Sequence, residues 1–331
     1  MSPSLTPPFT RRALLRALPI LAAARAIEAQ PTKAPIPVRA LNHMTMRVSD
    51  AKRSQEFYQG LFGMPVQARQ SNTVQLRIGS GPQYISVGTS TGSQKLGIEH
   101  FCMTTEGFNV DRLVKILSDR GIAKSYAPGA MKTWVVMRDE TPEFYVGDPD
   151  GIRIQLQDPS YCGGKGALGN GCFAAPEPAP RKGLIALRGL SHFTLTVSNS
   201  ARSTAFYQEL FGMRIQAHQG AMPVLAVGAG PQFIAAAPGT TPNIGHGCVT
   251  MENFNPDRVL KLLADYGIKP RGEARGPARP LTSWVTLRMP DRGGAKDGTP
   301  ELYFTDLDGI SVQIQDVKYC GGAGPLGEVC V

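Results

Sequence analysis

Apolar and polar residues alternate through His43–Val48 (HMTMRV), the two-residue period of a strand with one face in a core. The period then changes. SDAKRSQEFYQGLFG places Phe57, Leu61 and Phe62 together, offers Ser49 and Asp50 as caps and stops at Gly63, which predicts a helix. Three short strands follow, around Val66, from Val74 to Ile78 and from Tyr84 to Val87. The plan then repeats: IEHFCMT reads as a strand, a helix is capped by Asn109 and ended by Gly121, and TWVVMR, PEFYVG and IRIQLQD are strands.

The whole pattern occurs twice. LNHMTMRVSDAKRSQEFYQGLFGM from Leu41 matches LSHFTLTVSNSARSTAFYQELFGM from Leu190, and EFYVGDPDGIRIQLQDPSYCGG from Glu143 matches ELYFTDLDGISVQIQDVKYCGG from Glu301. The predicted fold class is α+β, with two tandem domains at 38–173 and 184–331, each a pair of βαβββ units. A proline-rich linker, 174–183, joins them. The second domain inserts MPDRGGAKDG (289–298) before TPELYF, a predicted surface loop able to overhang a pocket.

Composition adds little: 42% hydrophobic and 18% charged residues belong to a globular chain. Part of the net charge of +9 sits near the start, where Arg11 and Arg12 precede a short apolar run and small residues. That order predicts a leader peptide over 1–29, similar to twin-arginine signals, and a periplasmic or secreted protein. Elsewhere no basic run marks a nucleic-acid surface and no segment is long enough to span a bilayer. In an oxidising compartment Cys162 with Cys172, and Cys320 with Cys330, read as one local disulfide per copy, with a metal knuckle as the rival.

Three polar residues stand in apolar strands at matching places: His43, His100 and Gln155, then His192, His246 and Gln313. Strand alternation puts each set on one face. The doubled βαβββ unit, these histidines and the DPDG-x3-Gln run resemble the vicinal oxygen chelate superfamily of glyoxalases, extradiol dioxygenases, epimerases and antibiotic-sequestering proteins. The resemblance implies half-open barrels around one divalent ion each, Fe2+ first, with Mn2+ or Zn2+ as substitutes. It carries the metal ligands over to those six residues. Tyr145 and Tyr303, ten residues before the glutamines, resemble the active-site tyrosine of extradiol enzymes.

The departure is the amide. Those oxygenases use two histidines and a carboxylate, whereas glutamine brings no charge. Asp158 and Asp316 fall on the opposite strand face; Cys102 and Cys248 share the face of the second histidine, as small buried residues or a thiolate ligand. The expected function is an exported metal-dependent dioxygenase acting on a phenolic or other small aromatic compound, a homodimer being compatible with it. A glyoxalase-type lyase or isomerase, with Gln83 and Gln232 as pocket candidates, and a non-enzymatic binder are the alternatives.

Overall fold

The first copy runs β1 (Val38–Val48), α1 (Ala51–Phe62), β2 (Val66–Gln70), β3 (Thr73–Arg77) and β4 (Tyr84–Thr89). It continues with β5 (Gly97–Thr105), α2 (Val110–Ser118), β6 (Ala123–Lys124), β7 (Lys132–Arg138), β8 (Thr141–Gly147) and β9 (Arg153–Gln157). The second comprises β10 (Leu187–Val197), α3 (Ser200–Phe211), β11 (Ile215–Gln219), β12 (Met222–Ala226), β13 (Phe233–Pro238) and β14 (Asn243–Met251). It ends with α4 (Pro256–Asp265), β15 (Lys269–Pro270), β16 (Thr282–Arg288), β17 (Thr299–Thr305) and β18 (Ser311–Asp316). This computed structural model describes residues 34–70, 72–272 and 276–331; the expected leader peptide, 1–29, lies outside them. Ala34–Val331 form one compact body. No helix among the described residues is long and apolar enough to cross a membrane.

Local chemistry sets the helix ends. Asp50 accepts a hydrogen bond from the Arg53 amide at 3.1 Å, and Gly63 ends α1 at φ 67°, a conformation that costs glycine little. Asn109 caps α2 in the same way. That helix stops at Ser118, before the expected Gly121, because the Gly121 and Ile122 amides turn back onto Ser118 and Leu117.

In the first copy the strand order is β2-β3-β4-β1-β5-β9-β8-β7-β6, with β1 parallel to β4, antiparallel to β5, and β5 parallel to β9. The second is the same: β11-β12-β13-β10-β14-β18-β17-β16-β15. Each sheet curls into a half-open barrel, and the two join where Ile98 of β5 pairs with Ile244 of β14. The central strands are therefore β1, β5 and β9, the strands that carry His43, His100 and Gln155.

Reciprocal contacts bind the copies. Tyr58 of α1 donates to Asp306 at 3.0 Å, and Tyr207 of α3 donates to Asp148 at 3.3 Å. Phe101 stacks on Phe193 with centroids 5.0 Å apart. Gln83 and Gln232 are corrected here from pocket candidates to staples. Gln83 donates to the Leu41 carbonyl at 2.7 Å and accepts from the Leu190 amide at 2.9 Å, and Gln232 does the converse at 2.8 Å each. The side-chain amide supplies a donor and an acceptor on separate atoms of one arm. The 289–298 insertion forms a 3-10 turn at Pro290–Arg292 and is tied to the β11–β12 turn through the Gly220 amide and the Arg292 carbonyl, 3.1 Å.

Candidate functional site

Strand register brings the six residues together as two triplets. Thr45 lies opposite His100, His43 opposite Cys102, and Cys102 beside Gln155, so His43, His100 and Gln155 converge on the concave face. His43 and Gln155 are almost fully buried and His100 is 6% exposed. His43 stacks on Tyr84 with ring centroids 4.3 Å apart, and meets His100 edge-on at 5.5 Å.

Hydrogen bonding fixes the His43 tautomer. The Asn42 Nδ2 donates to the Tyr161 carbonyl at 2.9 Å, which turns Asn42 Oδ1 towards His43 Nδ1 at 2.7 Å. An oxygen there requires the proton on Nδ1, so Nε2 presents a lone pair to the cavity, as a ligating imidazole does. That Nε2 lies 3.1 Å from Gln155 Oε1, where two lone pairs meet. Burial, then His100, hold the His43 pKa well below its ordinary value, so a second ring proton does not relieve the contact. Turning the amide over would give His43 a donor and orphan the oxygen instead; as oriented, Gln155 Nε2 and His100 Nε2 are buried without a partner.

In the second copy His192 Nε2 and His246 Nε2 are 3.3 Å apart. Two imidazole ligands about 2.1 Å from one ion stand ~3.0 to ~3.4 Å apart for angles between 90° and tetrahedral. Both polar atoms of Gln313 are buried and unpartnered. Burial lowers the His192 pKa well below its ordinary value and brings His246 to about 4, against the opposing pull of Glu301 and Gln313. Two imidazoles and an amide oxygen are thus a donor set of the kind that fits a divalent ion. Among the described residues no group of three or more His, Cys, Asp or Glu could hold a metal, because the third place is an amide.

Burial first, with Glu143 behind it, raises the Cys102 thiol well above its ordinary value. Burial does the same for Cys248. Both are buried residues beside the second histidine of their copy. The Cys162–Cys172 and Cys320–Cys330 disulfides are formed.

A carboxylate faces each site from an unexpected strand. Glu143 of β8, with 5% of its side chain exposed, accepts from Tyr145 Oη at 2.9 Å, Tyr161 Oη at 3.2 Å and Arg138 Nε at 3.1 Å. Glu301 repeats this with Tyr303 at 3.3 Å, Tyr319 at 2.9 Å and Arg288 at 2.8 Å. Sequence reasoning singled out the tyrosines and missed their partners. The signal was present: each glutamate stands two residues before its tyrosine, hence on the same strand face. Tyr145 lies flat on Trp134 at 5.4 Å and edge-on to His100 at 5.2 Å. Its proton is directed at Glu143, so its oxygen is free to accept from the cavity side. The remaining cavity in the first site, about 20 Å³, holds roughly one water-sized sphere.

Comparison with known proteins agrees with this architecture. Glutathione transferase FosA of Serratia marcescens is 25% identical over 122 residues, covering 36% of this chain and 80% of that protein. The Mn(II)-bound glyoxalase of Novosphingobium aromaticivorans superposes with a TM-score of 0.58 at 14% identity, covering 84% of this chain and 82% of that one. Homoprotocatechuate 2,3-dioxygenase of Arthrobacter globiformis gives 0.58 at 18% identity, covering 86% and 83%. At such identities the structural likeness speaks for the fold. The Glyoxalase/Bleomycin resistance protein/Dioxygenase superfamily model matches residues 40–156 and 189–274, and the chain belongs to that superfamily.

Proposed function

We propose that the protein is a divalent-metal enzyme that cleaves a small phenolic ring compound, with His43, His100 and Gln155 holding the ion in the first copy and His192, His246 and Gln313 in the second. The observation that carries this reading is the convergence, in both copies, of two imidazoles and an amide with unpartnered buried atoms. A bound Fe2+, with Mn2+ or Zn2+ as substitutes, would supply Lewis acidity towards a phenolic oxygen. The chain's own part is positional. Asn42 holds the His43 tautomer, Trp134 fixes the Tyr145 ring, and Glu143 accepts the hydrogen bond of the Tyr145 hydroxyl so that Tyr145 Oη accepts a hydrogen bond from a substrate hydroxyl. The fold likeness to ring-cleaving dioxygenases supports the choice.

The Glu143 carboxylate favours a second reading, a glyoxalase-type isomerisation, because such chemistry needs a residue that can hold a proton from carbon. Two measurements separate the readings. Protein purified without added metal should carry up to two ions per chain by atomic emission; none would overturn both. After Fe2+ loading, oxygen uptake with a catechol supports ring cleavage, while isomerisation of a 2-oxoaldehyde thiol adduct without oxygen uptake would replace it.

A further inference from the structure

A larger cavity than that of the first histidine site lies outside both sites. A groove of about 810 Å³ opens where β5 of the first copy meets β14 of the second, a size in the usual range for small-molecule sites. Its apolar lining is symmetric: Ile98 and Ile152 from one copy, Ile244 and Ile310 from the other. Its charged lining is not. On the first-copy wall Glu99 accepts from Arg47 Nε at 2.7 Å and from Arg153 Nη1 at 2.6 Å. The matching positions of the second copy are Thr196, Gly245 and Ser311.

One carboxylate between two guanidiniums leaves an excess positive charge and unused N–H donors, and Lys95 stands on the same rim. The groove's other two acids have hydrogen-bond partners of their own, a guanidinium for Asp150 and neutral groups for Asp308. Asp150 accepts from the Ser198 amide and hydroxyl and from Arg202, and Asp308 accepts from the Ser49 amide and hydroxyl. The Arg153 side chain is 36% exposed, open to a further acceptor.

We propose that this groove binds a small organic anion, a carboxylate on an apolar body, with the carboxylate on Arg153 and Arg47 and the body over the isoleucines. Guanidinium and carboxylate match as planar forks, and the small opposing residues leave the room. Arg47 lines both the groove and the His43 cavity, so the bound anion sits beside the first site alone.

Benzoate and its neutral isostere benzamide are suitable probes, titrated by calorimetry with a chelator present so that no metal contributes. Benzoate should bind about tenfold more tightly than benzamide, the worth of one charge-assisted contact. Arg153→Ser, which installs the second copy's own residue, should abolish that preference, and Arg153→Lys should keep most of it. Equal affinities in the unaltered protein, or a preference unchanged in Arg153→Ser, would overturn the proposal. Neither outcome bears on metal content, which tests the function proposed above.

Discussion

The two copies share an inner ring of side chains and differ in what surrounds it. His, His, Gln, Tyr, Glu, Arg and Trp recur in matching strands, and a second Tyr recurs just past the last strand of each copy. Around them, Asn42 has Ser191 as its counterpart, Tyr84 has Phe233, Gln75 has Val224 and Ser86 has Ala235. His43 is held by a fixed amide oxygen, whereas His192 faces the Ser191 hydroxyl at 3.1 Å, which can donate or accept. His100 has Glu99 within 3.7 Å, while His246 has a glycine in that place. Burial and His100, with Arg47 and Arg153, act in opposite senses on Glu99 and leave its pKa lowered to about 2. The same donors thus sit in a tightly specified polar surround in one copy and a looser, more apolar one in the other. Ligand identity and ligand support are separable features of this fold.

The largest expected difference is in stability. Arg288 has 2% of its side chain exposed against Glu301, whereas Arg138 is 37% exposed against Glu143. Glu301→Ala strands a buried guanidinium and should cost ~3–5 kcal/mol. Glu143→Ala leaves Arg138 able to reach water and should cost ~1–2 kcal/mol. Denaturant midpoints that rank the two variants the other way round would break the comparison.

Next come the glutamines. Gln155→Glu and Gln313→Glu place a carboxylate where the amide stands, adding charge compensation for an ion at nearly unchanged geometry. Metal affinity should rise about a hundredfold in either copy, on the scale of 1.4 kcal/mol per factor of ten. Turnover need not follow, since a better-neutralised ion polarises a phenolic oxygen less. If calorimetry finds the same affinity alongside a lower melting temperature, the glutamines are packing residues that dislike the charge.

A smaller effect isolates the surround. Asn42→Ser gives the first copy the second copy's residue and frees the His43 tautomer. Losing such an orienting partner typically weakens metal binding 10–100-fold, and the lower end, about tenfold, is expected because a hydroxyl remains. The same titration should show the unaltered second site weaker than the first. Equal sites in the unaltered protein would mean that the surround does not matter.

Much of this was legible in the chain because duplication tests each reading twice. Period-two and helical runs, the Asp50 and Asn109 caps and the Gly63 stop fixed the elements, and the matching of His43, His100 and Gln155 with their counterparts marked the concave face. Glu143 escaped notice because its role depends on Tyr161 and Arg138, brought in from the turn just before the Cys162–Cys172 disulfide and from β7. Gln83 and Gln232 were misread for a related reason: their partners lie in the other copy, 107 and 191 residues away for two of the bonds. Period reports which way a side chain points, and only tertiary packing decides what waits there. The groove belongs to the same class, since no single copy contains it.

The smallest expected effect concerns the ring beneath His43. Tyr84 stacks on it at 4.3 Å with planes 14° apart, and in the second copy Phe233 stacks on His192 at 4.2 Å and 8°. The near-identical geometry without a hydroxyl indicates that the aromatic face positions the imidazole. Tyr84→Phe should therefore keep the stack, since ring area and quadrupole are retained. Stability should change by no more than ~0.5 kcal/mol and metal affinity by less than about twofold. If Tyr84→Phe instead weakens the first site as much as Asn42→Ser, the contrast between the copies cannot be assigned to the tautomer lock, and the Tyr84 hydroxyl must be counted with it.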